Sequence, residues 1–464
     1  MIKIILKCFL IVVLFIVAVN LLEPVIQPEL TDEQKVEIGK REYMSEVNGS
    51  EWIRCIDDNE EALLWRLRMI ESARESIVFA TFDFREDNSG TDVMAALYSA
   101  AERGVKVQIL LDGLNYMLYL DNSDLFRALC AHDKVEVRVY NPVGVKNIFY
   151  QNYRMHDKYL IVDNDMYLLG GRNTNDIFLG DHTDGINIDR EILVYESKPG
   201  EGESLLACRQ YFSDIWNESS VKEQKPSVKE EKLAEAYEIL RNRNVSACQK
   251  NEEIKNYNNW LEDTIPANKI TFLHNGIRAR KKDPVMLYEL EHIMEQGQDV
   301  IIQTPYVICN DKMYEVLANV REQADVRIIL NAVERGSNPW GCTDYLNNKE
   351  KIENTGVTVY ELLNEYAVHT KTILVDNRIS IVGSYNWDAR STYLDTELML
   401  VIDSEPLNQH IREMNAAYMA KSKEVRSDGT ETEGKDYQGF TLPPSKKLFY
   451  NILRIIIIPF RHLL

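Results

Sequence analysis

His156-Asp157-Lys158-Tyr159-Leu160-Ile161-Val162-Asp163 and His369-Thr370-Lys371-Thr372-Ile373-Leu374-Val375-Asp376 are two copies of one pattern, His-x-Lys-x4-Asp. Each is followed at the same offset by a glycine turn that ends in Asn, Gly170-Gly171-Arg172-Asn173 and Gly383-Ser384-Tyr385-Asn386. One short motif of this kind arises by chance at roughly the few-per-cent level. A second copy with its tail in register makes coincidence a poor explanation.

Each motif opens a predicted β-hairpin. The strands are Lys158 to Val162 with Met166 to Leu169, and Lys371 to Val375 with Ile379 to Val382. Residues two apart on a strand share a face, so each His projects together with its Lys. Asp163-Asn164 and Asp376-Asn377 fall in the turns. Asp-Asn is ordinary turn chemistry, so within the candidate catalytic set of His156, Lys158, Asp163, His369, Lys371 and Asp376 the two Asp read as structural members.

The surroundings repeat as well. In the first half a helical pattern (Glu61 to Ala73) leads into Ser76 to Phe84, and a second helix (Asp92 to Arg103) into Val105 to Asp112 and then Val135 to Tyr140. In the second half Pro284 to Gln296 leads into Asp299 to Val307, and Lys312 to Gln323 into Val326 to Leu330 and then Val357 to Leu362. Strands alternating with helices of this length predict α/β units with largely parallel sheets covered by helices. A repeat this long is duplication of a whole domain, at 50–218 and 261–425. Between the halves, residues 219–260 are rich in Lys and Glu, and Lys229 to Asn242 reads as an exposed helical connector. Segment 427–439 reads as a flexible link.

Both ends of the chain are apolar. Lys3 and Lys7 precede an apolar run from Cys8 to Leu22, and a helix over residues 1–22 would be about 33 Å long, enough to cross a bilayer core. Acids follow, so the positive-inside rule keeps the N-terminus in the cytoplasm and exports the body of the chain. No small-x-small cleavage site competes well with an uncleaved signal-anchor. Residues 440–464 interleave Lys446, Lys447, Arg454 and Arg461 with large apolar side chains, and no acid occurs after Asp436. Such a tail suits an anionic membrane surface; docking on the protein core is the competing reading. The expected location is therefore the cell membrane, with a single-pass N-in anchor and an extracytoplasmic catalytic body.

With 464 residues, length alone allows two or three domains. Net charge is −20, from 53 Lys and Arg against 73 Asp and Glu, which argues against a nucleic-acid partner without excluding a small cationic pocket. Seven cysteines show no metal-ligand spacing, so buried free thiols are expected and no metal or cofactor is called for.

Two imidazoles, two ammoniums and two amides suit attack on a phosphodiester through a covalent intermediate. Neutral imidazole is a competent nucleophile, and a second, protonated His supplies the proton that a departing alkoxide needs. Lys158, Lys371, Asn173, Asn386 and the hydroxyl of Ser384 would hold the non-bridging oxygens. Each His also needs a carboxylate on its far ring nitrogen, and Glu191 in Ile188-Asp-Arg-Glu191 and Glu397 in Leu394-Asp-Thr-Glu397 occupy matching places.

With these motifs, residues 50 to 420 resemble the phospholipase D superfamily, and more narrowly the bacterial cardiolipin synthases. Arg154-Met-His-Asp-Lys158, Val382-Gly-Ser-Tyr-Asn386, Asp388 with Arg390-Ser391, and Thr304-Pro-Tyr306 carry the narrower likeness. The resemblance implies two α/β/α sandwich lobes meeting at a pseudo-twofold cleft and a phosphohistidine intermediate. It also implies phospholipid substrates, with His156 as nucleophile and His369 as general acid/base. Both motifs lie in one chain, so a monomer suffices. Gly171 stands where the second copy has Ser384, and the longer spacing from His156 to Glu191 points to an insertion near Leu179 to Ile186. A single N-in anchor also departs from the two membrane segments and cytoplasmic body common in cardiolipin synthases.

His274 with the run Arg278-Ala-Arg-Lys-Lys282 reads as a solvated charge run more readily than a headgroup contact. Trp340 fits a cleft mouth or a packed loop equally, and His132, His182, His292 and His410 read as ordinary. Three functions compete: a membrane-bound phosphatidyltransferase making cardiolipin, a phosphodiesterase of phospholipid or nucleic acid, and a scaffold on a retired catalytic fold.

Overall fold

A computed structural model describes residues 2–464 except Ser227, with the side chains of residues 2–6, 8 and 9 outside the description. The expectations resting on the side chains of Lys3 and Cys8 therefore lie outside the described residues.

Two nine-stranded sheets dominate the molecule. In the first, Glu51–Ile56, Glu191–Glu196, Met166–Gly170, Tyr159–Val162, Ser76–Thr81, Lys106–Asp112, Val135–Tyr140 and Val221–Gln224 lie side by side. The second sets Lys269–His274, Leu398–Asp403, Ile379–Gly383, Thr372–Val375, Asp299–Gln303, Asp325–Asn331, Thr358–Leu362 and Ser422–Val425 in the corresponding order. Each sheet adds one short edge strand, Ile265–Pro266 to the first and Glu431–Glu433 to the second. The duplication is thus one of topology as well as motif, and the segment read as a flexible link contributes Glu431–Glu433.

The sheets are mixed rather than largely parallel. Ser76–Thr81, Lys106–Asp112 and Val135–Tyr140 pair in parallel through helical crossovers, as do Asp299–Gln303, Asp325–Asn331 and Thr358–Leu362. The motif hairpins pair antiparallel because a three-residue turn reverses the chain, and their outer neighbours pair antiparallel as well. Apolar runs on these central strands are buried on both faces. Helices Asn59–Ser72 and Asn88–Glu102 cover the outer face of the first sheet, and Val285–Met294 and Asp311–Gln323 that of the second. The inner faces share one core with helices Glu203–Trp216 and Glu405–Ala420, in which Ile161, Leu169 and Val194 join Leu374, Val382 and Leu400.

The motif aspartates pin the hairpins. Asp163 and Asp376 both adopt φ of 47°. The Asp163 carboxylate accepts from the backbone N–H groups of Arg74, Glu75 and Ser76, and that of Asp376 from those of Gln298 and Asp299. Each Asp therefore ties its turn to the start of the neighbouring strand.

The connector also differs from expectation. Helix Glu230–Lys250 packs on the first half, burying Ala236, Leu240, Asn244 and Cys248 at a spacing of four. Tyr237 stacks on Tyr98 at 4.9 Å, and Arg243 Nε donates to Asp92 at 2.5 Å. Charge on the other faces hid this narrow apolar stripe. The six cysteines from Cys55 onward are free, and four of them are buried.

The apolar N-terminal run forms helix Ile2–Leu22; among the described residues no helix is long and apolar enough to cross a membrane. Phe15 meets Phe149 edge-on, and Asn20 Nδ2 donates to the Ile148 carbonyl at 2.8 Å. The tail combines the two readings offered for it. Helix Pro444–Ile456 buries Tyr450 and Leu453 beside Pro339–Glu353, while Leu448, Phe449, Ile452 and Ile455 stay exposed. Trp340, at the start of Pro339–Glu353, is 40% exposed.

Leu240→Ala is expected to destabilise the protein by about 2–5 kcal/mol in urea unfolding, as for a core leucine. A value within about 0.5 kcal/mol would return the helix to a solvated connector.

Candidate active site

The two motifs meet where the halves exchange short parallel pairings. Met155 bridges Thr396, and Asn187–Ile188 pairs with Ala367–Val368. The His156 N–H then donates to the Thr396 carbonyl at 3.3 Å, and the His369 N–H to the Ile188 carbonyl at 2.6 Å. In each case the acceptor immediately precedes a carboxylate that reaches the same imidazole. Nδ1 of His156 lies 2.9 Å from Glu397 Oε1, and Nδ1 of His369 lies 2.6 Å from Asp189 Oδ2. Every motif histidine is thus oriented by the opposite half. With Nδ1–H donated to a carboxylate, Nε2 is left as the reactive nitrogen. Phe82 packs edge-on against the His156 ring at 4.9 Å, and Phe178 against His369 at 5.0 Å.

Each lysine folds back on its own histidine. Lys158 Nζ donates to the His156 carbonyl at 2.5 Å, and Lys371 Nζ to the His369 carbonyl. Asn173 and Asn386 are both buried, and the side-chain oxygen of each lacks a hydrogen-bond partner among the described residues. An amide oxygen only accepts, so a phosphate oxygen at this place would be met by the Nδ2–H groups of the two amides and not by these oxygens.

Two assignments need correction. Glu191 does not face a histidine: it forms a two-oxygen pair with Arg66 and lies 3.4 Å from Arg172. Backbone register explains this, since Gly170 pairs with Glu191 while Gly383 pairs with Met399. Asp189 is therefore the counterpart of Glu397, and aligning the acids by their local spelling slipped the match by two residues. Counting from the glycine turn and the strand, rather than between acids, would have found it. Ser384 is likewise not open to the cleft. Its hydroxyl donates to Glu397 Oε2, while Ser391 Oγ donates to Glu397 Oε1 at 2.7 Å. Gly171, in the corresponding place, leaves room: a Cβ there would lie 2.6 Å from either Asp189 oxygen.

Other contributors were not legible as motif residues. Asp157 accepts from Thr396 Oγ1 and the Tyr211 hydroxyl, each at 2.6 Å, clamping the strand end ahead of Glu397. Arg190 crosses the seam, donating to Asp57 at 2.7 Å and to Thr372 Oγ1 at 3.1 Å. His410 lies 3.5 Å from Asp57, with Cys55 close by, but Arg190 already supplies the cation there. Lys282, read as part of a solvated run, is buried and donates to the Arg278 carbonyl at 2.9 Å.

The electrostatics follow from drying four basic groups together. Burial, then Lys158, Lys371 and His369, holds His156 well below the usual imidazole range. Burial and Lys371 bring His369 to about 4 despite Asp189. Burial brings Lys158 to about 7 and Lys371 to about 8. Burial also raises Glu397 well above an ordinary carboxyl. For Asp189 burial is outweighed by Lys371 and His369, which hold it down. On its own the cleft therefore sheds protons, and a phosphate anion placed among these groups would draw them back.

Mixed α/β lobes built on paired His-x-Lys motifs define the class, and comparisons with known proteins agree. The family described as "Cardiolipin synthase, PLD-like domain" matches residues 67–216 and 290–417, and the chain belongs to it, within the phospholipase D superfamily. It is an enzyme of that superfamily, close to the cardiolipin synthases. Cardiolipin synthase C of Escherichia coli is 27% identical over 397 residues, spanning 77% of this chain and 82% of its own. An uncharacterized protein of Helicobacter pylori is 26% identical over 400 residues, spanning 77% of each chain. The fold is similar to that of phosphatidylserine synthase from Haemophilus influenzae, with a TM-score of 0.63, 15% identity, and coverage of 92% of this chain and 99% of that one.

Asp189→Asn should lower turnover by about 10²-fold or more, whereas Glu191→Gln should act chiefly on thermal stability. Steady-state rates alongside melting curves separate the two. Calorimetry in buffers of different ionisation enthalpy should show net proton uptake when inorganic phosphate binds between pH 7 and 8. The reason is that the phosphate raises groups sitting at about 7 and 8, Lys158 and Lys371, from their depressed values. No buffer dependence would overturn this account.

Proposed function

We propose that the protein is a membrane-bound phosphatidyltransferase that makes cardiolipin from phosphatidylglycerol or another phospholipid through a phosphohistidine. The observation that carries this reading is the pair of imidazoles, each fixed by a carboxylate from the opposite half. His156 Nε2 attacks phosphorus, a P–N bond forms, and the P–O bond to the leaving alcohol breaks. His369, protonated in the substrate complex, gives its proton to that alcohol. The acceptor hydroxyl then returns a proton to His369 and attacks phosphorus, and the P–N bond breaks. Lys158, Lys371, Asn173 and Asn386 hold the non-bridging oxygens, where negative charge builds. Glu397 and Asp189 keep the rings in the tautomer that presents Nε2; Ser384 and Ser391 hold Glu397. The order of the two histidines comes from family resemblance.

Phospholipid as substrate is supported by the family and by the name of the Escherichia coli relative. The membrane side of the reading rests on exposed apolar side chains at both ends of the chain, Leu10 to Phe15 in the first helix and Leu448, Phe449, Ile452 and Ile455 of Pro444–Ile456 beside Lys446 and Lys447. Both motifs lie in one chain, so one copy completes the site. Water as acceptor would make the same site a phospholipase D. A nuclease reading gains nothing from a net charge of −20.

Purified full-length protein incubated with phosphatidylglycerol vesicles is expected to form cardiolipin, detected by mass spectrometry. His156→Ala should abolish it, and Lys371→Ala should lower it by about 10²-fold. Phosphatidic acid without cardiolipin would replace the transferase reading with a hydrolase.

A further inference from the structure

The two apolar ends of the chain meet each other beside helix Ala389–Tyr393. His462 Nε2 lies 2.6 Å from the Leu21 carbonyl, so the end of the N-terminal helix and the end of the tail are tied together. Beside this tie lies a pocket of about 580 Å³, lined by Val25, Asn310, Asn347, Lys351, Ile458 and Arg461 among others. None of His156, Lys158, Asn173, His369, Lys371 and Asn386 lines it.

Its chemistry is that of an anion site with an apolar rim. Arg461 gives Nε to Asp344 at 2.5 Å and Nη2 to the Cys309 carbonyl at 2.6 Å, and Nη1 has no partner among the described residues. Lys351 makes no ion pair among the described residues; its ammonium stands 6.0 Å from the Tyr314 ring. Asp344 is already paired with Arg461, which leaves the wall a surplus of positive charge. Lys446, Lys447 and Arg454 extend that charge along the neighbouring helix, in a chain whose net charge is −20. Val25 and Ile458, which line it, are exposed, and so are their chain neighbours Ile26 and Ile455.

We propose that this pocket seats the phosphate headgroup of an anionic phospholipid, with its acyl chains along the exposed isoleucines of the tail. Lys351 and Arg461 Nη1 meet the phosphate; Asn310 and Asn347 also line the pocket, their amides held by Gln27 and Arg454. The lipid is held and not turned over, because no histidine pair faces it. The inference rests on the membrane reading above and adds a second lipid site to it. Ala389 also lines the pocket and begins helix Ala389–Tyr393, whose Ser391 holds Glu397. A lipid here therefore touches the element that supports His156.

The test is lipid retention in native mass spectrometry of full-length protein released from detergent micelles. The background is His156→Ala, which removes turnover. Phosphatidylglycerol and phosphatidylcholine are the probes. One phosphatidylglycerol should be lost per chain, with affinity falling about tenfold or more, on Lys351→Glu, a change on an exposed side chain. Ile458→Asn should weaken the same lipid while leaving the charges in place. Phosphatidylcholine should not be retained there. Unchanged retention in Lys351→Glu would overturn the proposal, as would displacement by inorganic phosphate at concentrations matching the lipid. Cardiolipin formation by protein with His156 intact is a separate readout, so failure of the catalytic reading and failure of this site are distinguishable.

Discussion

The structure depends on an exchange across its pseudo-twofold seam. Each motif histidine takes a backbone acceptor and a carboxylate from the half it does not belong to, through Thr396 and Glu397 for His156 and through Ile188 and Asp189 for His369. Neither half can orient its own imidazole. The shared inner core, together with Arg190 bolted between Asp57 and Thr372, sets the halves at the spacing this exchange demands. Shape and chemistry are coupled here: a small shift of one sheet against the other would loosen both rings at once, because the two pairings lie on one interface.

The second constraint is electrostatic. Two lysines and two histidines are dried together, with Asp189 and Glu397 against the two rings. In water such charges would cost little. In the cleft they depress one another and lose protons, which keeps the unliganded site neutral enough to fold. The incoming phosphodiester supplies the missing negative charge, so substrate and protons arrive as one thermodynamic package.

Much of this was legible in the sequence because two independent copies constrain each other. The hairpins, the shared face of His and Lys, and the turn positions of Asp163 and Asp376 follow from period-two geometry and turn chemistry. The antiparallel outer strands were hidden because apolar runs buried on both faces do not encode direction. Leu240 and its neighbours were masked by charge on the rest of their helix. The slip from Asp189 to Glu191 has a similar cause. Asp189-Arg-Glu191 and Asp395-Thr-Glu397 share one spelling, and only the pairing of Gly170 and Gly383 across the sheet fixes the register. Cross-half partners such as Asp157 with Thr396 carry no sequence signal at all, since they are more than two hundred residues apart.

The contrast between Gly171 facing Asp189 and Ser384 facing Glu397 has an evolutionary meaning. A symmetric homodimer of either half would be compelled to use the same acid and the same small residue at both histidines. Fusion into one polypeptide lifts that compulsion. Each copy is then free to drift by a methylene and a hydroxyl, giving its imidazole a different leash. Divergence of the two repeats is in this sense the route by which one duplicated module acquires two unlike chemical tempers.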